Sequence, residues 1–173
     1  MLKTKALSLA AILLCSGVLA VSQDDKPTWD AWKIVMGDWT GTGNGDPGKG
    51  GGGFSFKPDL QGSVLVRKSH SKYPATQGRP ATVHDDLMIV YAEQGRTRAI
   101  YFDNEGHVID YTPSFSPDGK TLTLLSDSAP SAPTFRLTYT SVEPDVLRIN
   151  FEIATPGTST FKSYVGGVVH RTK

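Results

Sequence analysis

Between Leu147 and Ile153 the chain alternates strictly, with Leu147, Ile149, Phe151 and Ile153 separated by Arg148, Asn150 and Glu152. In an extended strand successive side chains point to opposite faces, so this segment has one dry face and one wet face. A helical period would scatter the same residues around an axis and bury charges with them. Phe135, Leu137 and Tyr139 alternate with Arg136, Thr138 and Thr140 in the same way, and Leu122 and Leu124 alternate with Thr121 and Thr123. The segments 63–70, 86–92, 97–102 and 160–171 read as strands with less regular alternation. Between the runs sit Asp103-Asn104-Glu105-Gly106, Pro117-Asp118-Gly119, Glu143-Pro144-Asp145 and Thr155-Pro156-Gly157. In these, proline presets the first turn angle and glycine takes the positive φ that closes a hairpin. Turn signals at nearly even spacing predict an all-β fold, an antiparallel up-and-down meander of about 9–10 strands closed into a barrel.

One short helix is expected before the meander, from Thr28 to Met36. Thr28 is placed to cap it, Asp30 suits its first turn, and Gly37 follows as a terminator. Trp29, Trp32 and Met36 then share a face. Two tryptophans on so short an element need a large apolar surface over them, which predicts a plug across one end of the barrel. No second helical pattern follows, which excludes βαβ architectures.

The N-terminus differs from the rest. Lys3 and Lys5 precede an uncharged apolar run from Ala6 to Val21, and small residues frame cleavage after Ala20 or Ser22. This is the layout of a secretory signal peptide, and the run is shorter than the roughly 20 residues that span a bilayer as a helix. The expected organisation is a signal peptide over 1–22 and one domain over 23–173, exported to the periplasm or secreted, with no transmembrane segment left after cleavage. The single cysteine, Cys15, lies inside the run behind Leu14, whereas a lipid-acylation site carries a small residue there. The remaining chain therefore has no disulfide, thiolate nucleophile or cysteine metal site. Losing Lys3 and Lys5 takes the formal charge from +1 to −1, and no basic block remains to suggest nucleic acid as a partner.

Several motifs fail on context. Gly43-x-Gly45-x-x-Gly48-Lys49 resembles nucleotide-binding fingerprints, but those open a helix, and here Gly51-Gly52-Gly53-Phe54-Ser55-Phe56 follows. A mobile glycine hairpin over 43–53 is expected instead, with a second polar loop over 72–82. His70, His84, His107 and His170 show no metal-ligand spacing, although His84-Asp85-Asp86 is a compact polar triplet. Ser69-His70-Ser71 places a histidine between serines on the opposite face of a strand. No residue takes a catalytic role, and an enzyme is the less expected reading. An outer-membrane barrel is disfavoured because Arg136, Arg148, Asn150, Glu152 and Lys162 charge the face that would meet lipid.

Gly37-Asp38-Trp39 directly after the short helix resembles the G-x-W opening of lipocalins and other calycin barrels, and Arg171 stands where those proteins place an arginine over the tryptophan. Trp39-Thr40-Gly41-Thr42-Gly43 is also similar to the start of nitrobindin-like haem barrels and of uncharacterised exported bacterial barrels. The likeness implies barrel closure by Trp39 and Arg171 and a small apolar ligand inside. Nitrobindin-like proteins ligate haem through a late histidine, for which His170 is the candidate. Adjacent to an inward Arg171, however, His170 would point outward. Phe56, Phe102, Leu124, Leu137 and Phe151 are the expected cavity lining. The function expected is an exported binding protein for a small apolar, lipid-like molecule, with no cofactor. The alternatives are a solid-barrel interaction protein and a haem-binding barrel.

Overall fold

A computed structural model describes residues 27–45 and 48–172. The expected signal peptide lies outside the described residues. Ten strands follow one another: β1 Gly37–Gly45, β2 Gly50–Asp59, β3 Val64–Tyr73, β4 Thr82–Glu93, β5 Arg96–Asp103, β6 Val108–Phe115, β7 Thr121–Ser126, β8 Thr134–Glu143, β9 Val146–Ala154 and β10 Phe161–Arg171. Each pairs antiparallel with the next, and β10 pairs with β1, so the meander is a closed barrel without edges. The glycines of the turn signals, Gly106, Gly119 and Gly157, all adopt positive φ, as hairpin closure requires. No helix among the described residues is long and apolar enough to cross a membrane.

The expected helix is only a 3-10 turn over Asp30–Ile34, and Thr28 does not cap it; the capping position is Trp29, without a side-chain bond. Nucleating an α-helix is unfavourable for so few residues. Tryptophan packing holds the segment instead. Trp32 is 2% exposed and lies 5.5 Å from the Phe115 ring and 6.0 Å from Phe56. Trp29 packs edge-on against it and donates its indole N–H to the Gly62 carbonyl at 2.8 Å. The turn thus plugs one end of the barrel, as the aromatic pair predicts.

Gly37 then swings the chain into β1 with φ 104°, and a Cβ there would lie 2.6 Å from Arg171 Nη1. Trp39 and Arg171 are cross-strand partners, with the guanidinium 4.2 Å above the indole ring. Arg171 also donates to the Met36 carbonyl and to Asp145 at 3.0 Å, and the Trp39 indole donates to the Val35 carbonyl at 2.8 Å. The plug, first strand and last strand are therefore tied together at one point.

The glycine-rich stretch is not a loop over 43–53. The strands run to Gly45 and from Gly50, and the glycines themselves pair, Gly41 with Gly52 and Gly43 with Gly50. A Cβ at Gly41 would lie 2.2 Å from the Val168 carbonyl oxygen, and one at Gly52 would lie 2.1 Å from that of His70. Backbones approach so closely here that no side chain fits, which lets β1, β2 and β10 bend around the barrel corner.

The interior divides into two halves along the barrel axis. Next to the plug, Phe56, Leu65, Met88, Val90, Leu122, Leu124, Tyr139 and Leu147 are fully buried and fill the lumen. Phe54, Phe56 and Tyr139 form an aromatic triangle there with ring centroids 5.6–6.0 Å apart. At the other end, where 74–81, 104–107, 127–133 and 155–160 connect the strands, the lumen is open. The outer wall is charged: Arg136 grips Glu152 with two bonds of 2.6 and 2.9 Å.

Candidate functional site: a two-faced cavity at the open end

The open half of the barrel encloses a cavity of about 920 Å³. Its existence follows from the sequence of β1, β2 and β10. Inward positions on these strands carry Gly41, Gly43, Gly50, Gly52 and Gly167, between Val165 near the mouth and Phe54 and Val169 at the floor, so little projects into the lumen from that arc. A solid barrel is thereby overturned for this half, although the plug half is filled.

The floor is made by Phe54, Arg67, Tyr111, Leu137 and Val169, which border both the cavity and the packed core. Above it the two long walls differ. On β8 and β9, Phe135, Ile149, Phe151 and Ile153 present an apolar surface, with Phe135 and Phe151 stacked at 5.9 Å and Tyr164 edge-on to Phe151 at 6.2 Å. On β3, β4 and β5 the inward positions are polar: Ser69, Ser71, His84, Asp86, Tyr101 and Asp103. In the strand order, β3 and β4 lie five places from β8 and β9, so the polar wall faces the apolar one across the lumen.

The polar wall is a connected network. His84 reaches Glu105 Oε1 through Nδ1 and the Tyr101 hydroxyl through Nε2, both at 2.9 Å. Tyr101 also lies 3.2 Å from Asp103 Oδ2. Asp103 accepts from the backbone N–H groups of Glu105 at 3.0 Å and His107 at 2.9 Å, and its Oδ2 meets His107 Nδ1 at 2.9 Å. These bonds from His107 and Glu105 hold the Asp103 carboxyl below its ordinary pKa against the opposing effect of burial. Burial first, then the Asp86 and Asp103 carboxylates, push the Tyr101 phenol far above its usual range, so it stays protonated. That hydroxyl has one proton and two takers, Asp103 and a neutral His84.

Lower on the same wall Arg67 and Asp86 form a buried ion pair, their side chains 8% and 5% exposed. Arg67 faces Met88 and Asp86 faces Ser69 in the ladder, so the two charges are diagonal neighbours on the inner face. The guanidinium lies 5.2 Å over the Phe54 ring. Burial opposes its charge, but Asp86 together with Tyr139, Tyr101 and Tyr111 outweighs this and raises the Arg67 pKa. Apolar residues of equal volume are generally at least as stabilising as a buried pair. Stability therefore gives no reason for this one to stand at the floor of a cavity.

Leu137 and Phe151 border the cavity. Phe56 and Leu124 face inward but lie in the filled half, fully buried. Phe102 is a correction: it is 36% exposed on the outer face, because Ala99, Tyr101 and Asp103 take the inward positions of β5. His170 is exposed and pairs with Thr40, next to the inward Val169 and Arg171, so it stands away from the cavity and the haem reading through it loses its ligand. The triplet at 84–86 divides between faces, with His84 and Asp86 inside and Asp85 outside beside His70. Among the described residues no three His, Cys, Asp or Glu side chains gather as metal ligands. Arg67 and Tyr101 were not singled out within the strands read at 63–70 and 97–102, and Asp103 was read only as part of a turn.

No protein-family model matches the chain. No curated protein sequence matches it either. Among solved structures, the S-type phycobiliprotein lyase CPES from Guillardia theta is similar with a TM-score of 0.50 at 10% identity, over 82% of this chain and 90% of the lyase. A de novo designed fluorescence-activating β-barrel aligns with a TM-score of 0.43 at 12% identity, over 83% of this chain and 98% of the design. A protein named EF1p2_mFAP2b, bound to DFHBI, aligns at 0.40 and 14%, over 82% of this chain and 97% of its own. At such identities the likeness concerns the fold alone.

Proposed function

We propose that this chain is an exported binding protein whose barrel takes one small amphipathic molecule. The carrying observation is the pairing of walls: an apolar surface on β8 and β9 across the lumen from a hydrogen-bonding surface on β3 to β5. The cavity, about 920 Å³, falls at the upper end of the range in which proteins hold small ligands, roughly 300–1,000 Å³. The apolar expectation from the sequence is narrowed by Arg67, Asp86, His84 and Tyr101: a pure hydrocarbon would leave that network facing nothing. Export rests on the charged start and apolar run of residues 1–22. Kinship with lipocalin-like barrels rests on the Gly37-Asp38-Trp39 opening and on Arg171 stacked over Trp39.

Purification from the native exported fraction, followed by native and denaturing mass spectrometry, tests this reading. A mass held in the native spectrum and lost on denaturation is expected, and the released compound should raise the melting temperature of the emptied protein. Failure of every amphipathic compound in a broad panel to raise that temperature, with no retained mass, would overturn the reading.

A further inference from the structure

Arg67 stands at the floor of the cavity. Asp86 engages its Nη1, the Phe54 ring lies beneath it, and its Nε–H, fully buried, has no hydrogen-bond partner. The Tyr139 hydroxyl, also buried, forms no well-shaped hydrogen bond either, although the Arg67 side chain lies near enough to counter the effect of its burial. A buried donor without an acceptor is an unfavourable arrangement that native proteins seldom keep. The ion pair as a whole is neutral, because Asp86 already balances the guanidinium. An incoming carboxylate would add a second anion to a buried site with one cation and lose its hydration for little return. A neutral oxygen acceptor meets the part of the Arg67 side chain that borders the cavity without that penalty.

We infer that the ligand inserts with a neutral hydrogen-bond acceptor, a carbonyl oxygen, foremost and seats it on Arg67 at the cavity floor, leaving its apolar body against Phe135, Phe151 and Ile149. This rests on the proposed binding role and specifies its ligand class. Arg67 acts as a selector: it favours ketones, lactams and similar carbonyl compounds over hydrocarbons of equal shape and over fatty-acid carboxylates.

The test uses three probes with one tricyclic body: 9-fluorenone, fluorene and fluorene-9-carboxylate. Their dissociation constants are measured at pH 7 by titration calorimetry on the full mature protein. Fluorenone should bind about 10- to 100-fold more tightly than fluorene, the span expected for satisfying or abandoning one buried donor. The carboxylate should be weaker than the ketone. In the double variant Arg67→Met, Asp86→Leu, which removes both charges together, the ketone and the hydrocarbon should bind alike. Infrared spectroscopy of fluorenone bound to the unmodified protein supplies a readout independent of any variant, with its carbonyl stretch shifted to lower frequency than in hydrocarbon solvent. Equal affinity of ketone and hydrocarbon for the unmodified protein, or an unshifted carbonyl stretch, overturns the selector and leaves the binding cavity standing. Tightest binding by the carboxylate overturns it in favour of an anion site. Binding of none of the three overturns the selector, and the broad panel above then decides separately whether the cavity binds anything.

Discussion

Tyr139 places a hydroxyl in the filled half of the barrel with no well-shaped hydrogen bond, and burial raises its pKa to about 12 against the opposing effect of the nearby Arg67. Removing an unsatisfied buried hydroxyl while keeping the ring should be neutral or stabilising, by up to about 1 kcal/mol. Urea unfolding of Tyr139→Phe checks this; a loss of more than that amount would mean the hydroxyl has a partner. Asp103 is the opposite case. Its carboxylate gathers two backbone N–H bonds and one ring contact, and Asp103→Asn should lose about 1–3 kcal/mol at pH 7. Its folded pKa lies below the ordinary Asp value, so the contribution is fully present above the unfolded pKa, near 4, and drains away as pH falls through the folded value. The stability gap between the native protein and Asp103→Asn should therefore hold from pH 7 to pH 5 and shrink between pH 4 and pH 2, as read from urea titrations at each pH. These residues were hidden in the sequence for a physical reason. Alternation separates two faces of a strand but does not say which is inside once the inside is partly wet. Arg67 after Val64-Leu65-Val66 reads like any solvent-facing polar residue. On β5 the run Ala99-Ile100-Tyr101-Phe102 is apolar on both faces, and the alternation alone did not show that Tyr101 rather than Phe102 stands inside.

The strands were legible wherever one face was dry and the other wet, as on β7, β8 and β9, and the glycine turns marked their ends. The failure came at β1 and β2, where glycine was read as looseness. Glycine within a strand equally permits a close approach of two backbones, and a single sequence does not distinguish these uses. Neighbouring glycines in β2 separate them experimentally. A Cβ at Gly52 would meet the His70 carbonyl oxygen at 2.1 Å, whereas one at Gly51 would find its nearest atom, the Gly41 carbonyl oxygen, at an ordinary 3.7 Å. Gly52→Ala should lose about 1–3 kcal/mol or more, because two paired backbones must separate. Gly51→Ala should change stability by less than about 1 kcal/mol, helped by the lower entropy of alanine in the unfolded chain. Equal denaturation midpoints for the two variants would show that the glycine arc is loose and that bending at the corner does not depend on it. The helix failed for a related reason: the cap and terminator signals around Thr28 and Gly37 were present, but tryptophan packing fixes the segment and needs only one turn.

Across the whole molecule the same chemistry should have different value at the two ends. Phe56 is fully buried among Trp32, Phe54 and Tyr139 with no space around it, so Phe56→Ala leaves a cavity and should lose about 3–5 kcal/mol. Phe151 touches Phe135 and Tyr164 but turns another side to the open cavity, where truncation removes contacts without creating a sealed void. Phe151→Ala should therefore lose only about 1–2 kcal/mol, while weakening any ligand that rests on that wall. Urea unfolding of both variants, with and without the compound released from the native protein, measures the contrast. In the ligand-free proteins the Phe56 variant should be the weaker by at least about 1 kcal/mol. Saturating ligand should then stabilise the Phe56 variant nearly as much as the native protein, because the packed half holds the barrel's shape but does not touch the ligand. The Phe151 variant should gain less. Equal losses without ligand would mean that the open half is packed as tightly as the plug half, and the division of the barrel into a structural end and a binding end would fail with it.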